Sequence, residues 1–252
     1  MNSATIRNNI LLRNVKPGNV PVSSASLGSS ASVGVNAYCN VIEVPNTGTR
    51  GANGMKVGAT NRGYNPHPPF EYMKSTGNNL HHNTVIWDAG ATGNVGYFQV
   101  DAAHQPNFFA DNTPPDHNEY HLPSLSATTF VYDNNNTQLN TQKTFAGYQA
   151  SGADPHGKAD TNYTSGFPGV AITSPTDQST FSNSVTVNAT ASDKSGINRV
   201  EFYVDWKLQD TVTASPYTFN WTNGTTGRHT VTAMAYSNSG IRNCYAVTLT
   251  KK

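Results

Sequence analysis

The stretch SVTVNATASDKSGINRVEFYVDWKLQDTVTASPYTFNW, residues 184–221, alternates apolar and polar side chains in short runs separated by turn residues. In Ser184–Ala191, Val185, Val187, Ala189 and Ala191 fall on one side. In Arg199–Asp205, Val200, Phe202 and Val204 oppose Arg199, Glu201 and Asp205, and Tyr217–Trp221 offers Tyr217, Phe219 and Trp221. The alternation continues through Thr230–Tyr236, with Val231, Ala233 and Ala235, and through Tyr245–Thr250, with Tyr245, Val247 and Leu249. Successive side chains of a strand point to opposite faces, so each run has one face to bury. Several such strands at this spacing predict a sandwich of two sheets from Gly169 onward.

Composition extends the β reading to the whole chain. Of 252 residues, 36% are hydrophobic and only 12% charged. Asn, Thr, Ser and Gly make up the difference. Asn and Gly tolerate left-handed backbone and Ser and Thr bond locally to it, which suits many-turned β structure and not helices. A net charge of +1 gives no electrostatic basis for binding nucleic acid or an anionic membrane. No apolar run is long enough to span a bilayer. The opening Met-Asn-Ser-Ala-Thr-Ile lacks the charged and apolar segments of a secretory signal. In so Asn/Thr-rich a sequence, this leads to the expectation of a fragment or processed product. The two cysteines, Cys39 and Cys244, lie one in each half without metal-ligand spacing, and either a disulfide or two thiols fits the sequence.

The N-terminal half is less regular. Residues 4–12, 35–44, 83–88, 95–101 and 128–133 read as strands, and 144–151 as a short helix or an edge. Residues 45–79 form a long polar stretch broken only by Met55–Val57 and Phe70–Met73. Short strands joined by loops of very unequal length are the pattern of a parallel β-solenoid.

IRNNILL (6–12), NNLHHNTVIWD (78–88), HNEYHLP (117–123) and TFAGYQASGADPHGKAD (144–160) resemble the last coils of right-handed parallel β-helix proteins of the pectate-lyase-like superfamily. Asn118-Glu119-Tyr120 is similar to an Asn-x-Tyr rung of that domain. Phe145…Gln149…Gly152…Asp154…His156-Gly157 is similar to its closing segment. The second half resembles bacterial Ig-like domains appended to secreted carbohydrate-active and surface proteins, on VEFYVD (200–205) and PYTFNW (216–221). The resemblance implies an all-β chain: a partial right-handed parallel β-helix over residues 1–160, a linker over 161–168, and an Ig-like β-sandwich over 169–252. Such β-helices cover their first coil with a cap, whereas here Met1 leads straight into a strand. Further coils, and family catalytic residues with them, are therefore expected upstream. The implied function is that of a secreted or cell-surface, monomeric, polysaccharide-acting protein of lyase or glycoside hydrolase type. The competing class is a non-enzymatic adhesion or carbohydrate-binding protein.

Two clusters offer chemistry. In an extended strand His117, Glu119 and His121 share one face, where two imidazoles and a carboxylate suit a divalent metal. The plainer alternative is a solvated loop with Tyr120 packed inward. The second cluster is His81-His82 with Asp88, Asp101 and His104; stacked strands could bring His82, Asp88 and Asp101 to one groove as catalytic groups. A lyase needs a base for the proton α to a uronate carboxylate, with Ca²⁺ or Arg to neutralise that carboxylate. A hydrolase needs two carboxyl groups at set spacing, and Asp88 with Asp101 is a candidate pair. Turn-capping carboxylates and half-exposed histidines are the plainer alternative. Arg50, Lys56, Arg62 and Lys74 could meet an acidic sugar, and Tyr64, Phe70, Tyr72, Trp87, Tyr97 and Phe98 could stack on sugar rings, with Trp87 and Phe98 better suited to coil interiors. Asp154, His156 and Asp160 are expected to fix the turns of the closing segment. Trp206 is expected in a hairpin turn, open to solvent.

Overall fold

The computed structural model describes residues 3–12, 25–46, 53–60, 63, 67, 72–132, 141–163 and 165–252. The chain divides into two compact units, residues 1–163 and 164–252. It is all-β; the single helix among the described residues is α1 (Phe145–Ala150).

In the first unit the strands follow one another as β1 (Ala4–Arg7), β2 (Ile10–Leu11), β3 (Ala25–Ser30), β4 (Val35–Tyr38), β5 (Val41–Val44), β6 (Asn53–Ala59), β7 (Asn79–Leu80), β8 (Thr84–Trp87), β9 (Val95–Gln99), β10 (Glu119–His121), β11 (Phe130–Val131), β12 (Gln142–Lys143) and β13 (Lys158–Asp160). They belong to three sheets, ordered β1-β4-β7, β13-β10-β8-β5-β2 and β12-β11-β9-β6-β3. From β1 to β9 the chain thus visits the three sheets in rotation and returns to each beside its previous visit. Every pairing is parallel except β11 with β12. Register repeats from circuit to circuit: Leu11 pairs Ile42, Ile42 pairs Val85, Val85 pairs Tyr120, and Tyr120 pairs Ala159.

The inward side chains form one core, which changes along the stack from aliphatic (Ile42, Val44, Met55, Val57) to aromatic (Trp87, Tyr97, Tyr120, Phe130). Tyr148 of α1 closes the aromatic end, 5.1 Å from Phe130 between ring centroids. Thr144 caps α1 by accepting from the Gly147 amide at 3.2 Å. Burying Tyr148 contributes on the order of 2 kcal/mol, which a helix of six residues needs because it is too short to hold by itself.

Three sequence expectations change here. The polar stretch 45–79 contains β6, whose Met55, Val57 and Ala59 point inward. Gly54 and Gly58 between them dilute the strand signal. A side chain at Gly54 would meet Val44 at 2.7 Å and Val95 at 2.8 Å, so only glycine fits. The run 4–12 is two strands bent at Asn8, whose φ is 60°. Of the aromatic pair assigned to coil interiors, Trp87 is in the core, but Phe98 lies outside it with Lys56 Nζ 4.6 Å above its ring.

The second unit holds β14 (Gly169–Ser174), β15 (Thr180–Phe181), β16 (Val185–Ser192), β17 (Ile197–Val204), β18 (Lys207–Val212), β19 (Tyr217–Trp221), β20 (Gly227–Ser237) and β21 (Arg242–Lys251). They form a three-stranded sheet β14-β16-β19 and a five-stranded sheet β15-β21-β20-β17-β18. Between them lies a core with Val187, Val200, Phe202, Phe219, Trp221, Val231, Ala233, Val247 and Leu249, the alternation read from the sequence. Asp205 and Trp206 join β17 to β18 with φ of 47° and 64°, the left-handed pair a tight hairpin requires. Trp206 is half-buried, not open to solvent.

Candidate functional site at a histidine corner

Between the first and second sheets each circuit turns through one residue in the left-handed region: Asn8, Cys39, His82 and His117, with φ of 60°, 52°, 53° and 58°. Such φ values are uncommon outside glycine and persist only where the surroundings impose them. The next residue in each circuit supplies that support. Asn9 donates through its amide N–H and Nδ2 to Asn40 Oδ1, Asn40 does the same to Asn83, and Asn83 to Asn118, at 2.9–3.2 Å. Asn118 donates to both oxygens of Asp154, at 3.2 and 2.9 Å. The row, buried from Asn40 onward, satisfies the polar groups that each corner exposes.

Asp154 also accepts from the Tyr120 hydroxyl at 2.5 Å. Burial pushes its carboxyl up to about 6, against the opposing pull of the Tyr120 and Asn118 donors.

Held by this row, the corner side chains project outward in a column. Lys158 pairs with Glu119, so His156 sits level with His117. The His82 and His117 rings stack at 4.7 Å and 7°, and His117 and His156 at 4.7 Å and 24°. That spacing is the separation of neighbouring strands. His81 lies inside the column. Its Nε2 donates to Asn36 Oδ1 at 2.9 Å, and its Nδ1 lies 2.9 Å from His82 Nδ1. Burial, helped by His117 and opposed by Asp116, pushes His81 down to about 4. His81 is therefore neutral at neutral pH with its proton on Nε2. It follows that His82 donates from Nδ1 to His81 Nδ1.

Asp116 lies beside the column. Its Oδ2 is 3.0 Å from both His117 Nδ1 and His156 Nδ1, and Oδ1 accepts from the backbone N–H of His117 at 2.9 Å and of His156 at 3.1 Å. Burial raises its carboxyl, but the His156 donors, then His117, outweigh it and hold the group below the ordinary aspartate value. One ligand atom each from Asp116, His117 and His156 lies within 4.8 Å of the others, close enough together to meet at one metal ion.

The set His117, Glu119 and His121 expected from the sequence is divided by the corner. His117 is left-handed, so the two-residue alternation does not reach it from β10. Glu119 and His121 do share a face, with Glu119 Oε2 at 3.9 Å from His121 Nε2, and both are buried. His121 Nδ1 bonds Asp160 Oδ1 at 2.8 Å. Tyr120 packs inward.

The three nominated catalytic groups do not gather either. His82 stands before β8, Asp88 after it, and Asp101 after β9. Four extended residues between the first two span more than about 10 Å, so the three occupy successive corners. Asp88 Oδ2 accepts from the Asn46 amide at 3.1 Å, a turn-capping role. Asp101 is buried against His104 Nδ1 at 2.8 Å, and Tyr72 stacks on His104 at 3.7 Å. Arg50, Arg62, Tyr64 and Phe70 lie outside the described residues. Neither cysteine is a free thiol.

The bacterial Ig domain family matches residues 168–233. No curated protein matches the chain. Among solved structures, the fibronectin(III)-like modules of Clostridium thermocellum CbhA are 28% identical, cover 33% of this chain and 96% of theirs, with a TM-score of 0.32. The endo-beta-1,4-mannanase from Thermotoga petrophila is 10% identical over 60% of this chain and 41% of its own, TM-score 0.31. A lytic polysaccharide monooxygenase from Jonesia denitrificans is 14% identical over 33% of this chain and 77% of its own, TM-score 0.26.

Proposed function

We propose that this chain is part of an extracellular polysaccharide-acting protein. In this reading residues 1–160 are coils of a right-handed parallel β-helix of the pectate-lyase-like kind, 161–168 a linker, and 169–252 an Ig-like accessory module. One observation carries it: the constant register of parallel strands, circuit on circuit, through three sheets. Constant register lines outward side chains into straight columns at strand spacing, a surface matched to a linear repeating polymer rather than to a compact ligand. The Ig family match over 168–233 supports an extracellular setting. Fold alone does not fix chemistry, so lyase and hydrolase stay together as one class.

The scatter of His82, Asp88 and Asp101 over three corners favours a second reading, in which this chain binds polysaccharide without cleaving it. Affinity electrophoresis in gels containing acidic and neutral polysaccharides tests both. Release of reducing ends, and absorbance from unsaturated uronates, test cleavage. Retardation with cleavage supports the first reading, and retardation without cleavage the second. A chain that no polysaccharide retards and that shortens none overturns both.

A further inference from the structure

We propose that Asp116, His117 and His156 form a binding site for a divalent transition metal of the zinc class, linking the last two circuits of the first unit. The proposal is independent of the polysaccharide reading. Asp116 and His117 come from the circuit entering β10, and His156 from the circuit entering β13. Each imidazole Nδ1 lies 3.0 Å from Asp116 Oδ2, and the three ligand atoms lie within 4.8 Å of one another. Two ligands about 2.1 Å from a tetrahedral ion stand about 3.4 Å apart, so each nitrogen and the carboxylate oxygen need to part by only a few tenths of an ångström. The His156 side chain is 65% exposed and that of His117 44%, which leaves the rings room to turn and the outer coordination position open to water. The frame beneath is rigid: the Asn118–Asp154 contact fixes the neighbouring residue of each circuit.

The donor set decides the class of metal. Two imidazole nitrogens and one carboxylate suit Zn²⁺, Ni²⁺ or Cu²⁺ and do not suit Ca²⁺, which takes six to eight oxygens. Binding through Nδ1 replaces the Nδ1–H that each imidazole turns toward Asp116, and leaves the ring N–H on Nε2. His82, stacked on His117, limits the turn of that ring.

The test uses the full chain without a histidine tag. Titration calorimetry with Zn²⁺ at neutral pH is expected to give one ion per chain. Cu²⁺ electron paramagnetic resonance is expected to show coupling to two imidazole nitrogens. His156→Ala removes an exposed side chain, and His117→Asn keeps a residue that accepts the left-handed corner. Each variant is expected to lose at least about tenfold in Zn²⁺ affinity, the loss that follows when even an indirect partner of a metal ligand is removed. Asp116→Asn is expected to do the same, and His104→Ala to bind as the parent does. No saturable Zn²⁺ binding, or unchanged affinity in both His156→Ala and His117→Asn, overturns the proposal.

Discussion

Replacing Asp154 by asparagine separates two effects of opposite sign. The buried carboxyl has its folded-state value raised from 3.8 to about 6, chiefly by burial. A carboxyl with a raised folded-state value holds its proton more tightly folded than unfolded. Its ionisation therefore weakens folding as pH rises from 3.8 through about 6, and acidification restores the loss. The shift corresponds to about 3 kcal/mol at neutral pH, of which roughly four-fifths develops between about pH 4 and pH 7.5. Asparagine removes that cost. It can accept from Asn118 as the other asparagines of the row do, with one oxygen taking both bonds, but it gives up one of the carboxyl's partners. That loss is about 1–3 kcal/mol and is present at both pH values. At about pH 7.5 the two effects nearly cancel, whereas at about pH 4 only the change of partner remains. The parent's own stability should therefore gain from this group on acidification, and Asp154→Asn should be worse tolerated at low than at neutral pH by about 2 kcal/mol. Urea unfolding of both proteins at the two pH values, followed by far-ultraviolet circular dichroism, measures the difference; other titrating groups drop out of the comparison. A pH-independent difference, or a variant better tolerated in acid, refutes the reasoning.

Asn83→Ala strands the Asn40 amide N–H inside the stack, while Asn40 Nδ2 keeps the Ile6 and Tyr38 carbonyls and the Ala37 carbonyl keeps the His81 N–H, and should cost about 1–3 kcal/mol in urea unfolding. A cost under about 1 kcal/mol would mean the row is incidental. Gly96→Ala would place a Cβ 2.0 Å from the Val131 carbonyl at a φ of 124°, and should destabilise by roughly 3 kcal/mol or more, while Gly152→Ala, with nothing within 4 Å, should cost only the strain of its φ, about 1 kcal/mol. Equal costs at the two glycines would remove the close-approach argument. In the second unit, burial pulls the His229 imidazole down, but the Asp205 carboxylate, 2.6 Å from Nδ1, outweighs it and raises the group. A raised histidine contributes stability below its ordinary value and loses it as pH climbs through the raised one, so His229→Gln should cost more at about pH 5.5 than at pH 8.5. Thermal melts at the two pH values with indistinguishable losses would count against it.

The second unit was legible because each strand carries its own signal. Val200, Phe202 and Val204 fill the core as their alternation requires. β14, β15 and β18 escape that reading: β18 is almost wholly exposed and so has no apolar face to betray it. The first unit was legible in outline and opaque in detail for a different reason. Asn9, Asn40, Asn83 and Asn118 each stand just before a strand, yet they are separated by 31, 43 and 35 residues. Loops of unequal length erase the period while leaving the register intact. His117 does not share the face of Glu119 and His121 for a local reason: two-residue alternation holds only where the chain is extended, and a positive φ there redirects the side chain. His156 was assigned to turn-fixing, and its backbone N–H does bond Asp116, but its ring joins the column by register with a residue 39 positions earlier. Nothing in sequence spacing announces that meeting.

The row of asparagines has a direction. Each oxygen receives from the circuit before, each amide nitrogen gives to the circuit after, and the last member is an aspartate, which only receives. One atom per circuit thus carries an instruction: an NH₂ at this position says that another turn follows, and a carboxylate oxygen says that the stack stops. Moving the carboxylate inward, as in Asn83→Asp, would set it against the Ala37 and His81 carbonyls that Asn83 now serves. The grammar therefore forbids an internal stop. It also tells an engineer how to lengthen such a stack: insert circuits upstream of Asp154, give each an asparagine at the corner, and leave the terminal aspartate where it is.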